Sequence, residues 1–559
     1  MKITCLAKIP QTVGEDEIIQ TLLKTRKIEK IDEFLSPLSP LLISITDFGF
    51  EKELKKTLAI LEEIKKKNQM VVVYTDYDAD GITGGSILWE TLHLLGFNAM
   101  PYVPHRKHEG YGFSIKGIDA IKEKYNPGLI ISVDHGITAV EKVAYAKSIG
   151  IPIIITDHHL KQEKVPDEAE AIFHISTLSG SSVSYFFSKA VFDHFKSDIS
   201  TMNHERLTHN FSSDYLSLAA VGTIADLVPL IGAARSVVKY GLAAFPKIQR
   251  PGIKSILREA GIEGKIITSY EVGFIIAPRI NAVGRLEHAI NALRLLCTTS
   301  EEKATELAQG VGRTNQERQE LVKSAIEEAK KMIEKDVLAG NLPNILILTS
   351  SEWHEGIIGL IASKMVELYY RPVIVMTQGD GFLKGSARSI PHFHITDFLR
   401  SVKEYLVDVG GHTQAAGFTI LTENLSPFTE AVYKKAKKII KKKDLEKIIT
   451  ADLNISLSHI TSSLVKQIET LSPFGIGNPQ PVFYSNATLE DVRIFGKHNE
   501  HLRMTIKNET SQPLELIAFS KATDFQKLSR GKTIEVVYQP EINRWNGTEK
   551  LQGKLIHWQ

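Results

Sequence analysis

The chain has 559 residues, 43% of them hydrophobic and 24% charged, with a formal net charge of +2. Such a chain builds several ordinary globular cores, and it lacks a global basic field that would by itself announce nucleic acid. Its two cysteines, Cys5 and Cys297, have no CxxC spacing, which excludes a disulfide framework and a zinc ribbon. With no signal-peptide core and no apolar run long enough to span a membrane, a cytoplasmic protein is expected, and a monomer of several domains suffices.

Residues 1–45 read as a polar arm with a turn at "IDEFLSPLSP", and "EKELKKTLAILEEIKKK" then shows helical spacing. From Val71 the strands "VVVYT", "GLIISV" and "IPIIIT" alternate with helical segments such as "SILWETLHLLG". That alternation predicts βαβ units and a parallel sheet. "SDYLSLAAVGTIADLVPL" reads as an apolar helix carrying Asp226 near its end, where the carboxylate is either a cap or a group in need of a partner. A charged, turn-poor helix is expected over residues 301–336. A second α/β unit follows, with "NILILTS", "RPVIVM", "LKGSARS" and the loop "VGGHTQAAGF". The lysine run "KKAKKIIKKK" is a solvated helix face or a phosphate-tracking patch. From residue 449 short strands and turns predict an OB-like β-barrel.

The stretch "VVVYTDYDADGITGG" sets Asp76, Asp78 and Asp80 at alternate positions beyond a strand. Two like charges roughly 4 Å apart repel by about 4 kcal/mol at an effective dielectric of about 20. An EF-hand loop starts with the same spacing, but its twelfth position here is Ile87 and the preceding element is a strand, so that reading fails. A metal site at a strand's carboxyl end, or an Asp-rich turn, remains.

Two further strands also end on polar residues, one on Asp134 in "VDHG" and one on Asp157-His158-His159. Together with Asp226 they form an oxygen and nitrogen donor set without cysteine, suited to Mn²⁺ or Mg²⁺ and large enough for two ions. Two ions sharing carboxylates perform phosphodiester hydrolysis. Arg106, Arg279 and Arg388 (beside Ser386) offer guanidinium forks for phosphate, and His412 in "GGHTQ" is a donor to the same group. The absence of G-x-S-x-G and Walker A patterns disfavours acyl transfer and nucleotide-driven motors.

The strings "DYDADG", "VDHG", "TDHH" and "GTIADLVPL" resemble, in order, the motifs of the DHH phosphoesterase superfamily. "APRINAVGRL", "WHEGIIGLIASKM", "KGSARS", "GGHTQAAGF" and "PFGIGNPQP" resemble the RecJ family within it, the bacterial single-strand-specific exonucleases. The resemblance implies an N-terminal arm (1–45), a DHH domain (46–300), a connecting helix (301–336), a DHH-associated domain (337–448) and an OB-fold domain (449–559). It implies Mn²⁺- or Mg²⁺-dependent, 5′-to-3′ degradation of single-stranded DNA to mononucleotides in recombination and repair. It further implies cooperation with single-strand-binding protein and a RecQ-like helicase. On this basis Asp76, Asp78, Asp134, His158 and Asp226 are metal ligands, and Asp80, Asp157 and His159 lie in or beside the site. Asp134, His158, His159 and His412 carry the catalytic roles, while Arg106, Arg279, Ser386 and Arg388 hold DNA phosphates. Other members act on short oligonucleotides or cyclic dinucleotides, and some DHH folds are non-catalytic scaffolds. The barrel-like tail and the complete donor set favour the nuclease. One departure stands out: "AIFHIS", with His174 and Ile175, replaces the family's "N-P" step, and the following "LSGSSVSYFF" is serine-rich. The geometry of that loop is left open by the sequence.

Overall fold

The computed structural model describes residues 2–106, 108–379, 381–509, 511–545 and 547–559. It divides into two units. One comprises Ile3–Asn281, Ala289–Ala308 and Thr450–Gln559, and the other is built mainly from Ala282–His288 and Gln309–Ile449.

In the first unit the N-terminal segment forms strand β1 (Lys2–Lys8) and the helix Glu15–Thr25. Next comes an all-parallel sheet of β2 (Val71–Thr75), β3 (Ala99–Tyr102), β4 (Leu129–Val133), β5 (Ile153–Asp157) and β6 (Ala171–His174), in the order β3-β2-β4-β5-β6. Strands β2, β4 and β5 are buried at every position, because helices cover both faces of the sheet and no polar alternation is tolerated. The chain reverses its winding beside β2, with β3 on one side and β4 on the other. The carboxyl ends of β2 and β4 therefore flank the switch point, where open α/β sheets bind ligands. The helix Ala79–Leu94 is buried along most of its length. Gly84 lets it approach closely, since a Cβ there would stand 2.8 Å from Val133 Cγ1 and 2.9 Å from Ser181 Cα.

The second unit holds most of the long helix Glu301–Leu338 and a mixed sheet. Its strands are β7 (Leu346–Thr349), β8 (Val373–Gln378), β9 (Phe382–Arg388), β10 (Leu406–His412) and β11 (Ala415–Leu421), in the order β10-β11-β9-β8-β7. Only β7 and β8 run parallel; the remaining pairs are antiparallel.

The C-terminal strands belong to the first unit apart from the start of β12 (Ile448–Asn454). They continue as β13 (Phe483–Phe495), β14 (His501–Lys507), β15 (Leu514–Ala518), β16 (Thr533–Trp545) and β17 (Thr548–Trp558). The order β13-β14-β15-β17-β16 closes by the β13–β16 pairing into a five-stranded barrel. The N-terminal segment is not the polar arm its composition suggests. β1 pairs beside β12, and Ile9, Ile18, Leu22, Leu23 and Phe34 enter the barrel's core. A few apolar side chains in a charged stretch carry this packing. The linchpin of this packing is Arg235, fully buried and donating to the carbonyls of Phe34 (2.7 Å), Leu471 (2.9 Å), Ser472 (2.9 Å) and Pro473 (3.1 Å). Its guanidinium carbon lies 3.6 Å from the centre of the Phe34 ring.

Candidate metal centre

The three aspartates beyond β2 have separate tasks. Asp78 is the N-cap of helix Ala79–Leu94, and its Oδ1 accepts from the backbone N–H of Asp80 (2.9 Å) and Gly81 (3.0 Å). Asp80 is buried and turns the other way, accepting from Gly180 N (2.6 Å) and Ser181 N (3.0 Å) at the start of helix Gly180–Phe195. Asp76 is buried at the strand end, and its Oδ1 has no hydrogen-bond partner among the described residues. Gly81 permits the tight passage, because a Cβ there would lie 2.7 Å from Asp76 Cβ.

Asp134 follows β4 in the left-handed region, φ 68°, a strained placement for a residue with a side chain. Its Oδ1 lies 3.1 Å from His158 Nε2, and neither buried atom has a directed hydrogen bond among the described residues. His158 Nε2 also stands 3.5 Å from Asp226 Oδ2 and 3.8 Å from Asp80 Oδ2. Asp226, the C-cap of helix Asp214–Ala225, keeps its side chain 32% exposed. Among the described residues, three groups bring donor atoms within 4.8 Å of one another: Asp76/Asp78/Asp134, Asp80/His158/Asp226 and Asp134/His158/His159.

Electrostatics separates ligands from supports. Burial, then the Asp78 charge, pushes the Asp76 carboxyl well above the usual range. Burial and Asp80 also raise Asp78. Asp134 is raised by burial and then by Asp80, Asp78 and Asp76, while burial with Asp80 and Asp78 lifts Asp226 to about 8. Burial lowers His158, so a neutral imidazole directs Nε2 at the carboxylates. Asp157 and His159 behave differently. Burial raises the Asp157 carboxyl, but the His159 ring and the N–H groups of Ile137 and His159 outweigh it and hold it well below the usual range. Burial lowers His159, but the hydrogen bond and charge of Asp157 carry it to about 9. His159 Nδ1 donates to Asp157 Oδ1 (2.8 Å), and its Nε2 donates to the Tyr111 hydroxyl (2.9 Å), which in turn donates to Asp134 O (3.1 Å). Buried, converging, unsatisfied oxygens beside a neutral imidazole nitrogen are the donor set of a hard divalent cation, and the residues fit Mn²⁺ or Mg²⁺.

Of the proposed phosphate contacts, Arg106 stacks over Tyr77 at 5.3 Å and its charge is felt by Asp76. Arg279 Nε donates to Glu259 (2.6 Å), and its Nη1 donates to Ile275 O (2.9 Å). Ser386, Arg388 and His412 belong to the other unit. There Arg388 pairs across β11 with Ala415, and Ala415 with His412; Ser386 pairs with Gly417, and Gly417 with Gly410. Residues directly opposite one another in an antiparallel sheet share a face. Neither Gly410 nor Gly417 would bring a Cβ within 4 Å of another atom, so the face beside Ser386 is open. The N-terminal turn of helix Ile358–Tyr369 backs it, with Gly359 against Ser386 Oγ and the Arg388 guanidinium. Burial lowers the Arg388 guanidinium, whose Nη1 donates to Ser386 Oγ (3.2 Å) and Ala387 O (2.9 Å). A part-buried cation beside a helix N-terminus favours an anion there.

Four further residues support the site in roles the sequence did not assign. Tyr111 is one. Asn281 is another; its Oδ1 accepts from Ala79 N (2.8 Å) and ties "APRINAVGR" to the aspartate loop. The "AIFHIS" departure supplies the third: His174 Nε2 donates to His159 O (2.7 Å). The serine-rich stretch supplies the fourth, since Ser179 caps the helix whose first N–H groups hold Asp80.

Residues 70–223 match the DHH family N-terminal domain, residues 342–438 the DHHA1 domain and residues 451–557 the RecJ OB domain. A parallel sheet with this donor set at its strand ends is thus a DHH-type domain, followed by its associated domain and a barrel. The chain is 31% identical over 562 residues to the single-stranded-DNA-specific exonuclease RecJ of Haemophilus influenzae, covering 97% of this chain and 96% of that one. It is 34% identical over 513 residues to that of Bacillus subtilis, covering 90% of this chain but spanning only 62% of the length of that protein. The crystal structure of RecJ in complex with Mn²⁺ from Thermus thermophilus superposes with a TM-score of 0.81 at 26% identity, covering 100% of this chain and 79% of that one. A Mg²⁺ complex of that protein superposes with a TM-score of 0.74. The chain belongs to the RecJ family.

Proposed function

We propose that the protein is a metal-dependent exonuclease that degrades single-stranded DNA from the 5′ end to mononucleotides in recombination and repair. The observation that carries this reading is the convergence of Asp76, Asp78, Asp134, His158 and Asp226 at the sheet's switch point, in a chain that also bears the RecJ-type barrel. Those five residues hold the ions, and Asp80 adds charge while anchoring the helix Gly180–Phe195. Two divalent cations bound there supply charge neutralisation at the phosphate and acidify water. The chain's own residues do the rest. Asp157 fixes the cationic His159 against Tyr111, which keeps a proton donor beside Asp134. Arg106 adds positive charge on the Asp76 side. Ser386, Arg388 and His412, on one face of the second unit's sheet beside the helix Ile358–Tyr369, are assigned to phosphates of the strand.

Single-strand preference has a physical source in the barrel. Phe495 and Phe519 each lie 5.2 Å from His501, and Arg503 lies 5.4 Å from the Phe495 ring. Unpaired bases stack on such groups whatever their sequence. The same reading assigns a cytoplasmic monomer that works with single-strand-binding protein and a RecQ-like helicase.

The test is a Mn²⁺ digestion of single-stranded DNA labelled at one end or the other. Immediate release of the 5′ label alone as a mononucleotide, with duplex untouched, supports the reading. First release of the 3′ label, or cleavage confined to very short oligonucleotides, assigns another DHH phosphodiesterase activity.

A further inference from the structure

We infer that Tyr270 and Phe274 form a stacking platform for bases of the strand whose phosphates the acidic cluster handles. The inference rests on the nuclease reading and extends it to residues outside the cluster. Large aromatic side chains normally contribute buried area. Here Tyr270 is 58% and Phe274 70% exposed, with Ile266 nearby in sequence at 82%. The two rings stack on each other at 4.9 Å with 28° between their planes. Their four-residue spacing sets both on one helix face.

The backbone beneath them is unusual and leads to the metal centre. Residues 272–276 form a π-helical turn between the helical segments Ser269–Glu271 and Ala277–Leu286. Single π turns inside helices occur frequently at functional sites. Beyond that turn the same helix carries Asn281, which holds the Ala79 N–H of the aspartate loop. On its inner side Gly273 backs onto Ile224, where a Cβ would stand 3.7 Å from Ile224 Cγ2. Ile224 belongs to the helix capped by Asp226, and the next residue, Leu227, is another exposed apolar group. The platform is therefore joined through its own backbone to two segments that carry the acidic cluster.

This continuity selects the occupant. A strand with a phosphate at the cluster must place neighbouring bases somewhere close, and every base has a π-face for a stacked aromatic pair. Lys265, exposed beside Ile266, supplies positive charge for the accompanying backbone. Ile266 and Leu227 widen this apolar surface, but its continuity with the segments carrying the acidic cluster favours a strand over a folded protein partner.

The test uses the full chain and a 20-nucleotide oligothymidylate. Affinity is measured by fluorescence anisotropy with Ca²⁺, and KM and kcat with Mn²⁺. Tyr270→Ala and Phe274→Ala are each expected to weaken binding about ten-fold, in line with stacking energies of about 1–3 kcal/mol per base. The loss falls on KM rather than kcat, and Phe274→Trp restores affinity. Wild-type affinity and KM in both alanine variants, with an active wild-type chain, would overturn the platform alone. An equal loss in Phe274→Trp would also overturn it, since the ring would then serve the local fold. A wild-type chain that neither binds nor cleaves the oligonucleotide would overturn the nuclease reading together with it.

Discussion

His158 Nε2 and Asp134 Oδ1 stand 3.1 Å apart in the interior, each without a directed hydrogen bond among the described residues. Buried polar atoms in that condition destabilise a fold unless a ligand satisfies them. Asp134→Asn removes one of the mutually repelling carboxylates. The ion-free variant is therefore expected to be more stable than wild type by about 1 kcal/mol. It is also expected to lose more than about a hundred-fold in hydrolysis, since even groups that merely orient metal ligands are worth 10- to 100-fold. Urea melts in chelator and a turnover assay read the two effects. A variant with near-normal turnover contradicts the assignment of Asp134.

The raised carboxyls give a pH dependence of definite sign. Burial with Asp80 and Asp78 lifts Asp226 from the ordinary 3.8 to about 8. The ion-free folded chain thus binds protons the unfolded chain does not, so its stability from this group is full at low pH and is lost as pH rises toward about 8. A divalent cation needs the deprotonated form, so binding expels protons and affinity climbs with pH over the same range. Calorimetric titration of Mn²⁺ in buffers of different ionisation enthalpy should reveal proton release near pH 7. Binding heats that do not change with the buffer would contradict the shift.

His174 is expected to act by positioning. Its ring donates to His159 O at 2.7 Å, which fixes the backbone of the Asp157-His158-His159 turn. His174→Ala should lower kcat by about ten-fold, by analogy with other groups that orient ligands. His174→Asn, which retains a donor, should recover part of it. Equal activity in all three chains would show that the turn holds itself.

Arg235 tests the interlock of N-terminal segment, DHH-type domain and barrel. It donates to four buried or half-buried carbonyls, from Phe34, Leu471, Ser472 and Pro473. Arg235→Met keeps much of the volume but orphans those acceptors, and a loss of about 4 kcal/mol is expected. A lower urea midpoint with an unchanged slope would report it. A midpoint within experimental error of wild type would contradict the linchpin role.

The sequence made the parallel sheet legible because its strands are unbroken apolar runs, and their polar terminators Asp76, Asp134 and Asp157 mark the ligand edge directly. The barrel was legible from its short strands and turns. The N-terminal packing was not, because Ile18, Leu22 and Leu23 form a narrow stripe in a charged helix whose partner lies more than 400 residues away, at positions such as Leu464 and Ile468. Within the site, charge drew attention to Arg279, which pairs with Glu259, whereas nothing pointed to Asn281, which makes the loop contact. An amide has no charge or spacing that advertises such a role. Tyr111 was hidden for the same reason, and His174 stood out only as a departure with no sign of its role, since both act through hydrogen bonds to residues distant in sequence.

The most direct test of the metal centre is the number of Mn²⁺ ions bound per chain, read by equilibrium dialysis with electron paramagnetic resonance, alongside single-strand hydrolysis before and after chelation. The account predicts two ions, magnetically coupled, with activity lost on chelation and recovered on adding Mn²⁺. Hydrolysis that persists in chelator, or full activity with no Mn²⁺ or Mg²⁺ bound, would contradict it.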